Sequence, residues 1–277
     1  MQNLKVGLQL YSIRDKMEEN MEEALQAVKA MGYDYVEFAG YFGKSAQEVR
    51  ALLDQYGLTC ISVHQGYGVF LEDPAENIAY LKTIGAKYCA IPWMDKEKHK
   101  GYPGFEQAVR EILQVAALLQ ENGIQMLYHN HDFEFEKFQD KYLLDWLYET
   151  IPAALLQPEI DTCWVKYAGC DPCAYLEQYA GRIDVVHLKD FTAKRLSQGP
   201  VYALIDDSGK ETKTDSKEEN GFRFQPVGSG LQDWEAVLAA SARAGAEYVI
   251  VEQDQWYDQD SLACAKKSRD YLKELGL

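Results

Sequence analysis

Eight times along the chain, a short apolar run rich in β-branched and aromatic residues gives way to a stretch with helical period. The runs are KVGLQL (5–10), YVEFA (35–39), TCISVH (59–64), YCAIPW (88–93), IQMLYH (124–129), LLQPEID (155–161), VVHL (185–188) and YVIVEQ (248–253). The helical stretches are 21–32, 45–57, 72–85, 105–123, 143–151, 171–181, 231–245 and 260–276. Gly32, Gly57, Gly85, Gly123, Gly181 and Gly245 each follow a helical stretch and precede a strand, the place of a left-handed C-cap. Eight βα units in 277 residues imply an α/β chain, a (β/α)8 TIM barrel spanning residues 1–277 as one domain. The rival is an open doubly wound sheet, which opens on a glycine-rich phosphate loop after its first strand. QLYSIRD (9–15) contains no glycine.

The net charge of −16, from 44 acidic and 28 basic residues, argues against nucleic acid and anionic membrane as main partners and favours a small-molecule ligand. No apolar run approaches the roughly 18 residues of a membrane helix. MQNLKVGLQLYSIRD reads as a cytoplasmic start that enters a strand directly. Cys60 and Cys89 lie in strand-like runs as small core residues. Cys170 and Cys173 form a lone CDPC without the second pair a zinc site needs, which leaves helix-start packing or a redox pair. Residues 192–228 are polar and too long for an ordinary loop. Emerging after strand seven, they read as a surface insertion, an active-site lid or a contact in a homo-oligomer.

In a TIM barrel the active site lies at the C-terminal ends of the strands. The polar and aromatic residues there are Tyr11, Glu37, His64, Trp93, His129 with His131, Asp161, His187 with Lys189, and Glu252 with Asp254. Strands five to eight thus end in His, Asp, His and Glu. Imidazole and carboxylate without thiolate suit one divalent ion, Mn²⁺, Mg²⁺, Co²⁺, Fe²⁺ or Zn²⁺. The candidate ligands are His129, Asp161, His187 and Glu252; Asp161, ahead of TCW, also reads as a helix N-cap. Lys189, two residues past His187, faces the same pocket and can hold a phosphate, a carboxylate or an enolate oxygen, or else is a surface lysine. His64 is a candidate hydrogen-bonding group for substrate. Trp164, Trp93 and Tyr11 are candidate apolar walls against a sugar face, or rim aromatics packed under loops. His99, in MDKEKHKG, reads as solvated.

Together QLYSIRD (9–15), SVH (62–64), YHNHDFEF (128–135), IDTCWVKYAGCDP (160–172), VVHLKD (185–190) and PVGSGLQDW (226–234) resemble the sugar phosphate isomerase/epimerase family, the xylose-isomerase-like TIM barrels. The resemblance spans the chain. It implies one divalent metal held at the ends of strands five to eight, where the epimerases carry Glu, Asp, His and Glu. Asp161, His187 and Glu252 match. His129 departs: it stands where the epimerases have a glutamate that also serves in their acid/base pair. Glu252 is then one catalytic acid/base group, and His131 or Glu134 is the candidate for the other. The implied activity is a metal-dependent sugar isomerase or epimerase that removes a proton α to the carbonyl of a keto sugar and passes through an enediolate. The alternative is a lyase, resembling inosose dehydratases or keto-glycoside-cleaving enzymes, that forms the same enolate and expels a β leaving group. A repair nuclease on the same barrel is disfavoured by five histidines and the negative charge. A metal-free sugar-binding module is the non-enzymatic alternative.

Overall fold

The computed structural model describes residues 4–194, 196 and 221–277. Eight parallel strands close into a barrel in sequential order: β1 (Lys5–Gln9), β2 (Tyr35–Phe38), β3 (Thr59–His64), β4 (Tyr88–Ile91), β5 (Gln125–His129), β6 (Leu156–Asp161), β7 (Val185–Leu188) and β8 (Tyr248–Val251), with β8 paired to β1. The eightfold alternation therefore folds as expected. Strand β4 stops short of Trp93 because Pro92 has no N–H for the ladder. Glu252 lies one residue past β8, yet its N–H still donates to Leu188 O at 3.1 Å, so it keeps the alternation of the strand.

The helical stretches form around the barrel. Ser45 and Glu48 make a reciprocal capping box at Ala46–Tyr56. Asp73, Asp171, Asp233 and Asp260 cap the helices that follow them. The first helix begins earlier than its periodicity suggested, at Arg14, and is broken at Asn20, whose Oδ1 accepts from the N–H groups of Glu22 and Glu23. All six glycines of the repeat have positive φ, from 62° at Gly57 to 100° at Gly245.

Two apolar layers result from the period-two alternation of the strands. The outward residues pack with the helices in one large cluster, while Ile61, Tyr88, Ala90, Leu127, Val185, Tyr248 and Ile250 form a separate cluster. This smaller cluster fills the barrel interior. All six cysteines are free thiols, and Asp171 Oδ1 accepts from Cys173 N, so CDPC is the start of a helix. No helix among the described residues is long and apolar enough to cross a membrane.

The chain leaves β7 through a two-stranded ribbon, Asp190–Thr192 paired antiparallel with Arg223–Gln225. The long polar segment begins and ends in this ribbon; most of it lies outside the described residues, and with it the lid and oligomer readings. The buried Asp190 carboxylate anchors the return. It accepts from Gly228 N at 3.0 Å, Gly230 N at 2.9 Å, Gln232 N at 3.3 Å and Trp234 Nε1 at 2.9 Å. A Cβ at Gly230 would fall inside the contact distance of Asp190 Oδ1 and Phe191 O. Gly230→Ala is expected to destabilise the fold by about 1–3 kcal/mol, as overpacking does. A thermal melt within a degree of wild type would refute that account of the anchor.

Candidate metal centre

Because side chains alternate, the residues one step above the inner apolar cluster also face the barrel axis. Leu127 leads to His129, Val185 to His187 and then Lys189, and Ile250 to Glu252. Across the ladder His129 pairs with Glu159, and Asp161 with His187. The mouth of the barrel is thus lined with buried ionisable groups: Glu37, His129, Glu159, Asp161, His187, Lys189, Glu252 and Asp254.

The structure brings His129, Asp161, His187 and Glu252 together, with one donor atom of each within 4.8 Å of the others. Donors about 2.1 Å from a common ion stand about 3.4 Å apart in a tetrahedron. His129 Nε2 lies 3.6 Å from Asp161 Oδ2 and 3.9 Å from Glu252 Oε2. The spacing and the mixed nitrogen and oxygen donors fit a divalent ion. Asp161 also serves as the N-cap of Thr162–Tyr167: its Oδ1 accepts from Cys163 N at 2.8 Å and Trp164 N at 3.3 Å, which leaves Oδ2 for the cluster. The two readings of Asp161 are compatible because they use different oxygens.

The electrostatics follow from burial. Burial and the neighbouring His187 hold His129 well below the usual histidine range, so its ring is neutral, the form that ligates. Burial raises Asp161 to about 6 despite Lys189. Burial acts against charge at Glu252 too, but Lys189 and His187 keep it well below the usual carboxylate range. Lys189 is itself buried, with Nζ 2.9 Å from Asp161 Oδ2, 2.9 Å from Glu252 Oε2 and 3.1 Å from Asp254 Oδ1. It is not a surface lysine.

A second layer lies against the first. His64 Nε2 is 2.7 Å from Glu159 Oε2 and 3.3 Å from Glu37 Oε2, and His187 Nε2 is 2.7 Å from Glu37 Oε2. His129 Nδ1 faces Glu159 at 3.3 Å. Of the two carboxylates, Glu37 is held low by the His64 and His187 rings against its burial, and Glu159 is pushed up by burial and by the charge of Glu37. Glu159 escaped the sequence reading. Its signal was there: it precedes Asp161 by two residues and so shares its face.

Other candidates are placed differently. Glu134 is fully buried but points away from the cluster. Its Oε1 accepts from the Tyr128 hydroxyl at 2.7 Å and its Oε2 from His131 N at 2.8 Å. Tyr128 belongs to the outward-facing core, next to the inward His129, so the carboxylate sits behind the strand. His131 stands nearer, its ring 5.2 Å from that of His129 and stacked on Phe133 at 5.5 Å. Trp164 is not an open sugar platform. It is fully buried, stacked on Phe222 at 5.6 Å and tilted against His131 at 5.7 Å. Tyr11 and Trp93 are exposed at the rim, 40% and 47%. His99 is buried rather than solvated, because its ring packs edge-on against Phe133 and reaches Met94 O at 3.3 Å. That burial lowers it to about 4.

A closed (β/α)8 barrel with buried His, Asp, His and Glu donors on strands five to eight defines a TIM barrel with a candidate metal centre at its mouth. The family profile of the xylose isomerase-like TIM barrel matches residues 25–275, and the chain belongs to that family. An inosose dehydratase of Geobacillus kaustophilus is 28% identical over 193 residues; the match spans 61% of each chain, less than two thirds of that relative. An inosose dehydratase of Clostridium beijerinckii is 24% identical over 93% of this chain and 90% of its own. Among solved structures, a sugar phosphate isomerase/epimerase from Parabacteroides distasonis shares the fold, with a TM-score of 0.77 and 18% identity over 99% of this chain and 94% of that one.

Glu134 gives a test of its placement. Burial lifts its carboxyl from 4.5 to about 8, against the pull of the Tyr128 and His131 hydrogen bonds. A carboxyl raised on folding adds stability that is fully present below its unfolded value and is lost as pH rises through the folded one. Between about pH 5 and pH 8.5 the wild type is expected to lose stability relative to Glu134→Gln, which cannot titrate. Urea midpoints measured across that range check this, and parallel curves for the two proteins would refute it.

Proposed function

We propose that the protein is a divalent-metal-dependent carbon–oxygen lyase acting on a keto polyol or keto sugar in the cytoplasm. Elimination proceeds through the enolate formed when a proton leaves the carbon α to the carbonyl. The observation that carries this reading is Lys189: a buried ammonium 2.9 Å from both Asp161 and Glu252, inside the candidate ligand set. A divalent ion held by His129, Asp161, His187 and Glu252 would supply Lewis-acid polarisation of the substrate carbonyl. Glu252, kept ionised by Lys189 and His187, is the candidate base for the α proton. Lys189 is the candidate acid for the departing oxygen and a counter-charge for the developing enolate oxygen. His131, beside His129, is the candidate for binding a substrate hydroxyl; His64, bonded to Glu159 at 2.7 Å, supports the site from behind. The match to inosose dehydratases, which covers 93% of this chain in one case, supports the same class.

Isomerisation or epimerisation of a keto sugar is the second reading, since it shares the first proton abstraction. Glu159 favours it by putting another buried carboxylate 3.3 Å from His129. Incubation with Mn²⁺ and a panel of inososes, 3-keto-glycosides and free ketoses separates the two. Elimination gives a dehydrated or cleaved product; isomerisation leaves solvent deuterium in a recovered ketose. Asp161→Ala and His187→Ala are expected to lose the ion. Lys189→Met is expected to keep it and to lose about 10²–10⁴-fold in turnover. A wild-type protein that binds no divalent cation would overturn the proposal and leave a sugar-binding module.

A further inference from the structure

We propose that Glu37 is a positioning residue that locks His187 in one tautomer, so that Nδ1 is the nitrogen the ring offers to a divalent ion. This rests on the metal reading of the site above. One buried hydrogen-bond chain carries the assignment. It starts at a donor whose direction is fixed, the backbone N–H of Tyr11, which donates to Gln9 Oε1 at 3.0 Å. That contact sets the orientation of the Gln9 amide, because its other end must then be the NH₂ group. Gln9 Nε2 donates to Glu37 Oε2 at 2.8 Å. Glu37 Oε2 is therefore an acceptor. His187 Nε2 lies 2.7 Å from the same oxygen, so it carries the proton of that contact. The other nitrogen, Nδ1, faces Glu252 Oε2 at 2.9 Å; Glu252, unlike Glu37, belongs to the candidate donor set, so an ion held there would take the place of the proton on Nδ1. Gln9, Glu37 and His187 are all fully buried, so water does not substitute for a missing partner. A carboxylate behind a ligating imidazole fixes the ring and raises its basicity.

The rival explanation of Glu37 and its surroundings is a second ion, since His64, His129, Glu159 and His187 also bring donor atoms within 4.8 Å of one another. The hydrogen bond at His187 Nε2 separates the two cases. Donors of a shared ion stand about 3.4 Å apart; pairs in the first group run from 2.9 Å for His187 Nδ1 and Glu252 Oε2 to 3.9 Å for His129 Nε2 and Glu252 Oε2. In the second group His64 Nε2 and Glu159 Oε2 are 2.7 Å apart, the length of a charge-assisted hydrogen bond. The proton on His187 Nε2 is donated to Glu37 Oε2, so that nitrogen is not open to an ion. The second group is a hydrogen-bonded support for the first.

Calorimetric titration of the metal-stripped protein with MnCl₂ tests this. The wild type is expected to bind one ion. Glu37→Gln keeps a neutral acceptor and is expected to bind one ion about 10–100-fold more weakly, with the melting temperature of the stripped protein unchanged. Long-range ¹H–¹⁵N spectra of the Zn²⁺-loaded wild type should show His187 protonated at Nε2 and coordinated through Nδ1. Glu37→Leu should weaken binding further; if it does not fold, Glu37→Gln and the spectra decide. Wild-type affinity in Glu37→Gln, coordination through Nε2, or two ions in the wild type with one in Glu159→Gln would each overturn the assignment while the functional reading stands. A wild type that binds no ion overturns the functional reading, and this assignment with it.

Discussion

Barrel closure is the constraint on which the site depends. Eight strands pair in register around one axis, and side chains alternate inward and outward along each. Inward residues at the C-terminal ends of neighbouring strands must then converge. His129, Asp161, His187 and Glu252 come from four consecutive strands, and register alone sets Asp161 beside His187 and His129 beside Glu159. A slip of one residue would send each of these groups into the helix layer. No long loop is required to assemble the donor set.

The same closure makes the site electrostatically demanding. Below the donors lies the apolar interior of Leu127, Val185 and Ile250, which offers no solvent to a charge. Each buried ionisable group therefore needs a protein partner or pays the desolvation cost. The second layer is the response: Glu37 and Glu159 stand between the donors and the apolar core, bonded to His187 and His64. Above, the Asp190 anchor fixes the chain immediately after Lys189, so the lysine leaves a strand whose continuation is held by four N–H donors from the returning segment.

What could be read in the sequence followed from periodicity. The strands, the capping glycines and the four donors at strand ends were legible because each is a local pattern repeated at a fixed place. Asp161 was legible twice: its Oδ1 caps the helix through Cys163 N, and its Oδ2 lies in the candidate donor group. The failures share a cause. Glu134 lies in a loop, where spacing does not say on which side of the strand a side chain falls; the Tyr128 hydroxyl decides it. His99 sits among charges in sequence and beside Phe133 in space. Glu37 and Glu159 are interior strand residues whose partners are 150 and 95 positions away, so only the fold reveals what each carboxylate holds.

The departure at strand five can now be weighed as charge. Asp161 and Glu252 supply two negative charges to the donor group and His129 a neutral nitrogen; against its burial, Glu159 and Glu37 hold His187 well above the usual histidine range, and it would give the second neutral nitrogen where an ion replaces the proton beside Glu252. A glutamate in place of His129, as the resemblance to epimerases implies, would add a third negative charge. Lys189 would then be needed to neutralise the site. With an imidazole there, the ammonium is shared by Asp161 and Glu252 at 2.9 Å and Asp254 at 3.1 Å. In a medium this buried, a positive charge acts strongly on any negative charge that develops beside it. In the proposed elimination, Lys189 is therefore the cation assigned to the oxygen that would become an enolate or a leaving group, and the imidazole at position 129 is what sets this site apart from the glutamate at strand five that the resemblance to epimerases implies.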